Sequence, residues 1–188
     1  MKVELAKMAG FCFGGNRAVN TVYQEAVEHS PVYTYGPIIH NEEVIADLER
    51  KGVQVIHSLE EAKEQAEGTV IIRSHGVTKA EQETLVADGL RVIDATCPFV
   101  KKIHNIVSEK SGEGFHIIII GNPEHPEVVG IKGWAKDNVT VIQSAEDAEC
   151  FTADRKEKIC IVSQTTFNYN KFKDLVEIIM KKSYDVSV

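Results

Sequence analysis

Ile117-Ile118-Ile119-Ile120-Gly121-Asn122-Pro123-Glu124-His125-Pro126-Glu127 is the stretch from which the fold can be read. Four consecutive isoleucines leave no polar residue for a wet face, and glycine and proline follow too soon for a long helix. They predict a central strand covered on both faces, the habit of parallel sheets. Ile159-Cys160-Ile161-Val162 reads the same way. Outward from these runs, strands and helices alternate. Strands are expected near 2–6, 32–35, 53–56, 69–73, 90–94, 116–120, 139–143 and 158–163. Helical patterns fall near 16–29, 41–51, 59–66, 78–88, 98–110, 125–135, 145–150 and 168–182. The alternation predicts an α/β fold: two similar small α/β domains with mostly parallel sheets. No low-complexity linker separates them, and the candidate boundary puts residues 1–96 in one domain and 97–188 in the other.

Two cysteines recur at the same kind of place, 85 residues apart. Cys12 lies in Ala9-Gly10-Phe11-Cys12-Phe13-Gly14-Gly15, between an apolar run and a helical pattern. Cys97 lies in Asp94-Ala95-Thr96-Cys97-Pro98, after Arg91-Val92-Ile93 and before another helical pattern. A thiol at a strand-to-helix turn faces the positive end of a helix, which favours the thiolate that ligates metals or attacks electrophiles. The glycines beside Cys12 allow close backbone approach, and Pro98 suits a first helical position. Two such turns suggest a shared centre. Cys150 and Cys160 are expected to be buried small hydrophobes.

Composition bounds the rest. The 188 residues are 43% hydrophobic and 26% charged, as in a soluble globular protein. No apolar run approaches the roughly 20 residues of a transmembrane helix, and Met1-Lys2-Val3-Glu4 is not a signal peptide. Four cysteines without a dense framework point to a reducing cytoplasm, and to metal or catalytic use over disulfides. A net charge of −7 argues against nucleic acid as the main partner, while leaving room for a local anion site.

Further turns carry polar groups at strand ends: Gly36-Pro37-Ile38-Ile39-His40-Asn41, Arg73-Ser74-His75-Gly76-Val77, Gly121 to Glu127, and Ser163-Gln164-Thr165-Thr166. Ligands of open α/β sheets gather beyond the carboxyl ends of the strands. Histidines, hydroxyls and helix amino termini there make an anion cradle. Neither C-x-x-C nor H-E-x-x-H spacing occurs, so a structural zinc site is not expected. Plainer roles compete. Glu127 suits a first-turn helix carboxylate, and Asp94 and Thr96 suit capping. His29, His57, His104 and His116 are expected at the surface or in helix packing, and Trp134 in the core.

Gly10-Phe11-Cys12-Phe13-Gly14, Arg17-Ala18-Val19, Ile39-His40-Asn41, Ser74-His75-Gly76-Val77, Asp94-Ala95-Thr96-Cys97-Pro98, His125-Pro126-Glu127-Val128 and Gln164-Thr165-Thr166 occur in that order. The set resembles the 4-hydroxy-3-methylbut-2-enyl diphosphate reductase (LytB/IspH) family across effectively the whole chain. Gly15-Asn16 departs from the family's more usual valine and charged residue, a minor packing change beside the cysteine.

The resemblance implies three similar α/β domains in a pseudo-threefold arrangement around a [4Fe-4S] cluster. Cys12 and Cys97 match two of the cluster's cysteines, and a third is expected beyond residue 188. On that basis the chain is expected to carry the first two domains and to be catalytically silent by itself. The implied activity is reductive removal of the hydroxyl of an allylic diphosphate, giving isopentenyl and dimethylallyl diphosphate in the non-mevalonate isoprenoid route. The implied partner is a ferredoxin- or flavodoxin-like electron donor. By family match His40 and His75 contact the diphosphate, and His125 lies against the diphosphate or hydroxyl region. Glu127 delivers a proton to the leaving hydroxyl, and Thr165 hydrogen-bonds in the same network. Two alternatives stay open: a zinc-dependent hydrolase using Cys12, Cys97 and a histidine, and a non-catalytic anion-binding module.

Overall fold

The computed structural model describes residues 2–4, 10–65, 67–87, 89–154, 156–182 and 184–188. The chain forms two compact units, Met1–Ser74 with Leu90–Cys97, and His75–Gly89 with Pro98–Val188. The chain passes between them three times, after Ser74, Gly89 and Cys97. The segment His75–Gly89, including helix α4 (Lys79–Ala87), is counted with the second unit.

The first unit holds α1 (Phe13–Glu28), β1 (Val32–Tyr35), α2 (Glu42–Arg50), β2 (Val53–Ile56), α3 (Leu59–Lys63), β3 (Thr69–Ile72) and β4 (Arg91–Asp94). Its sheet has the order β2-β1-β3-β4, with every pairing parallel. The central strands β1 and β3 are buried along their whole length, whereas β4 begins at an exposed arginine. Ala18, Val19 and Val22 share one face of α1 and pack with Val32 and Ile71 of the sheet.

The second unit adds α5 (Pro98–Gly112), β5 (His116–Ile120), α6 (Pro126–Lys132), β6 (Val139–Ile142), α7 (Ala145–Cys150), β7 (Lys158–Ser163), α8 (Tyr169–Met180) and β8 (Asp185–Ser187). Its order is β6-β5-β7-β8, again all parallel. The four isoleucines of β5 are fully buried and serve two cores. Ile118 and Ile120 pack with Ile142, Ile161 and Leu175, while Ile117 and Ile119 face Val107, Val128 and Ile131. Truncating any of them to alanine would cost about 2–5 kcal/mol.

One strand was missed, and two expectations need correction. β8 was not legible, because Asp185-Val186-Ser187 offers one apolar residue and is held by backbone pairing to the edge of β7. The strand expected at 2–6 does not form over residues 2–4, and residues 5 and 6 lie outside the described residues. Cys150 is exposed at the end of α7, unlike Cys160, which is buried in β7. Among the described residues no helix is long and apolar enough to cross a membrane.

Candidate functional site

In the first unit the two turn cysteines meet at one helix end. Cys12 is extended (φ −62°, ψ 165°) and caps α1, its Sγ accepting the Gly15 N–H at 3.4 Å. Cys97 follows β4 and donates its own N–H to the Ser74 carbonyl at 2.9 Å. Its side chain lies over Gly14, where a Cβ would sit 2.5 Å from the Cys97 Sγ and 2.9 Å from its Cβ. Gly14 is therefore the hollow that admits the second thiol to the first turn of the helix that the first thiol caps. Arg17 of α1 donates to the Thr96 carbonyl at 3.1 Å, tying the helix to the residue before Cys97.

His40 ends the Gly36–His40 turn and is exposed, with Asn41 behind it capping α2 by accepting the Val44 N–H at 3.0 Å. Ser74 holds this turn from below. Its hydroxyl and its N–H both donate to the Ile38 carbonyl, at 2.9 and 3.2 Å.

In the second unit, His75 and His125 rings meet edge to face with centroids 5.5 Å apart. His125 caps α6, and its Nδ1 accepts the Glu127 N–H at 3.1 Å. That bond requires a bare Nδ1, so the imidazole carries its proton on Nε2. Glu127, in the first turn of α6, is only 2% exposed. One carboxylate oxygen accepts the Thr165 N–H at 2.6 Å, and the other accepts the Thr165 hydroxyl at 2.9 Å. Burial pushes the Glu127 carboxyl above its ordinary value, and the two Thr165 donors only partly offset that push. The result is a carboxyl that holds a proton better than an exposed glutamate would, fixed at both oxygens. Gln164 Oε1 accepts the Asn122 N–H at 3.2 Å and braces the turn beneath it.

A family model described as LytB protein matches residues 3–188. The chain belongs to the LytB family. It is 47% identical over 189 residues to the 4-hydroxy-3-methylbut-2-enyl diphosphate reductase of Thermoanaerobacter sp. (strain X514), covering 99% of this chain and 65% of that protein. It is 43% identical to the protein of the same name from Caldanaerobacter subterraneus subsp. tengcongensis, covering 99% and 65%. The solved E-1-hydroxy-2-methyl-but-2-enyl-4-diphosphate reductase of Plasmodium falciparum superposes with a TM-score of 0.89 at 29% identity, covering 96% of this chain and 57% of that one. The chain thus spans just under two thirds of the length of the curated relatives it matches.

The LytB fold repeats itself more closely than the cysteines alone revealed. Gly36 and Gly121, like His40 and His125, are also 85 residues apart. Each glycine follows a central strand and donates its N–H to the last residue of the neighbouring strand, Ile56 or Ile142, at 2.7 and 3.0 Å. At each, a Cβ would strike the residue after the third strand, Arg73 or Gln164. This common offset was present in the sequence as a signal. The hollow at Gly14 and the setting of Trp134 were not, since both depend on residues distant in the chain. Trp134 is half-buried, not central to the core, and its ring stacks on that of the buried His104, which accordingly serves in helix packing.

Proposed function

We propose that this LytB chain takes part in the reductive dehydroxylation of 4-hydroxy-3-methylbut-2-enyl diphosphate to isopentenyl and dimethylallyl diphosphate. The observation that carries the reading is Glu127: a buried carboxyl, raised toward its protonated form, clamped by Thr165 at both oxygens. Hydroxide is a poor leaving group unless it is protonated, and a carboxylic acid held in place is suited to supply that proton. We assign the leaving-group proton to Glu127, with Thr165 setting the direction of its carboxyl. His75 and His125 offer ring N–H groups to the diphosphate, and His40 is assigned to diphosphate binding by its matching motif.

The paired thiols fit an iron–sulfur cluster. Soft sulfur ligands select iron–sulfur, zinc or copper(I), and Gly14 supplies the bare backbone that lets both thiols share one helix end. Cys12 and Cys97 would hold a [4Fe-4S] cluster, which when bound supplies electrons and a Lewis-acidic iron for the substrate oxygen. Those electrons would come from a ferredoxin- or flavodoxin-like donor, and a reducing cytoplasm would keep both thiols available.

The test is a chimera in which this chain replaces the matching part of the Thermoanaerobacter relative. Glu127→Gln in that chimera keeps size and hydrogen bonding but has no proton to give. Turnover of the allylic diphosphate should fall by about 10² or more, with diphosphate affinity and iron content unchanged. Near-normal turnover in the variant would remove Glu127 from the proposed role, and zinc without inorganic sulfide in the parent would remove the reductase reading.

A further inference from the structure

His75 stands on a turn whose shape is set from outside the turn. Gly76 has φ +75°, a conformation available to glycine, and the chain then passes through Val77 and Thr78 into α4. Thr78 closes that helix by accepting the Glu81 N–H at 3.2 Å, while its own N–H and hydroxyl donate to the Glu81 carboxylate at 2.8 and 2.7 Å.

Three successive residues after His75 are each met from α6 or its end. At Gly130, a Cβ would touch the Gly76 and Val77 backbone at 3.6 Å. At Gly133, a Cβ would overlap Thr78, 2.3 Å from its Cβ and 2.9 Å from its Cα. Between them the indole N–H of Trp134 donates to the Val77 carbonyl at 2.9 Å. The indole is itself braced by the His104 ring of α5, stacked at 4.9 Å and 17°.

The same helix carries His125 and Glu127 at its other end, about 10 Å away by helical rise. One short rigid element therefore sets His125 directly and sets His75 through the carbonyl of Val77. We infer that Trp134 is a positioning residue for the diphosphate: its bond to Val77 fixes where His75 stands relative to His125. This rests on the proposed diphosphate reading of the two histidines. The indole N–H gives the clamp a directional tie, whereas the glycine contacts limit only how near the turn can come.

The experiment compares Trp134→Phe with Ile131→Val, using inorganic pyrophosphate as the probe. Phenylalanine keeps an aromatic ring against His104 and loses the N–H donor. Ile131 is fully buried on the same helix, so its valine variant weakens the packing around Trp134 while leaving the indole N–H donor in place. In Trp134→Phe, pyrophosphate Kd by calorimetry should rise about three- to tenfold, the loss expected of one hydrogen bond. The His75 imidazole signals in NMR should shift, while those of His40, in the first unit, stay fixed. Ile131→Val should lower the melting temperature with Kd and His75 signals unchanged. Unmoved His75 signals in Trp134→Phe, or an equal rise in Kd in Ile131→Val, would overturn the inference. Failure of the parent protein to bind pyrophosphate would strike the diphosphate reading instead, and the His75 signals would still decide whether Trp134 positions that ring.

Discussion

Thr165→Val tests the balance that sets the Glu127 proton. The substitution keeps the backbone N–H that donates at 2.6 Å and deletes the hydroxyl that donates at 2.9 Å. Valine is close to threonine in shape, so the change falls on the charge and not on the packing. A hydrogen bond to a charged acceptor contributes about 1.5–3 kcal/mol, and the lower figure suits a carboxylate that keeps its second donor. Losing about 1.5 kcal/mol from the charged form alone moves the acid–carboxylate equilibrium roughly tenfold toward the acid. The carboxyl, already above its ordinary 4.5 because of burial, should titrate higher still.

The sign for stability follows. A carboxyl whose folded-state value is raised contributes stability that is present below its unfolded value and is lost as pH rises through the folded one. In Thr165→Val that loss extends further up the pH scale. The variant should lie nearest the parent at about pH 4 and fall behind by roughly 1.5 kcal/mol more at about pH 8. Glu127→Gln should remove the dependence, because an amide can accept the Thr165 N–H at one end and donate to its hydroxyl at the other. Carbon-detected NMR of the glutamate carboxyl gives the titration, and urea unfolding at the two pH values gives the stability. A Glu127 carboxyl titrating at or below the range of the exposed glutamates would refute the reasoning, as would one that titrates lower in Thr165→Val.

Gly14→Ala should separate the two thiols, since the new Cβ would need more than an ångström of clearance from the Cys97 Sγ, and metal–ligand distances tolerate only about 0.2 Å. Capture of the dithiol by phenylarsine oxide should drop several-fold, with iron uptake under anaerobic reconstitution falling in parallel; unchanged capture would show that Cys97 lies elsewhere. His75→Ala and His125→Ala should each weaken pyrophosphate binding about tenfold, the scale of one charge-assisted hydrogen bond. Calorimetry showing parental affinity in both would take the diphosphate away from this pair.

The central strands were legible because their burial is written in composition. Ile117 to Ile120 can only be a strand with a core on each side, and Val32–Tyr35 and Thr69–Ile72 are similarly rich in β-branched or aromatic residues. Cys97, His40, His75, His125, Glu127 and Thr165 were legible as residues that follow strands, since loops at that end of a parallel sheet are where polar groups can gather, whereas Cys12 is placed by its cap on α1 and not by the strand expected before it. The setting of Trp134 was hidden because its ties run to Val77 and His104, and no local pattern encodes a partner 57 positions away. Cys150 was misread because its one-residue context resembles that of any small apolar side chain, whereas its place at the last turn of a six-residue helix turns it to solvent.

The repeat also shows how one scaffold yields two different carboxylates. Glu42 and Glu127 are separated by the same 85 residues as the histidines before them, yet Glu42 is exposed and Glu127 is buried. In the first unit Asn41 is still extended and caps α2, which makes Glu42 the first helical residue. In the second, Pro126 is already helical behind the His125 cap, so Glu127 is the second. One step in the helical frame turns a side chain by about 100°. The residues that follow the third strands diverge in the same sense. Ser74, two residues past β3, donates its hydroxyl to the Ile38 carbonyl and secures the His40 turn. Thr165, two residues past β7, donates its hydroxyl to Glu127 instead. A proline at the helix start and a carboxyl within reach of that hydroxyl turn a tie to backbone into a tie to a buried carboxyl whose pKa burial raises.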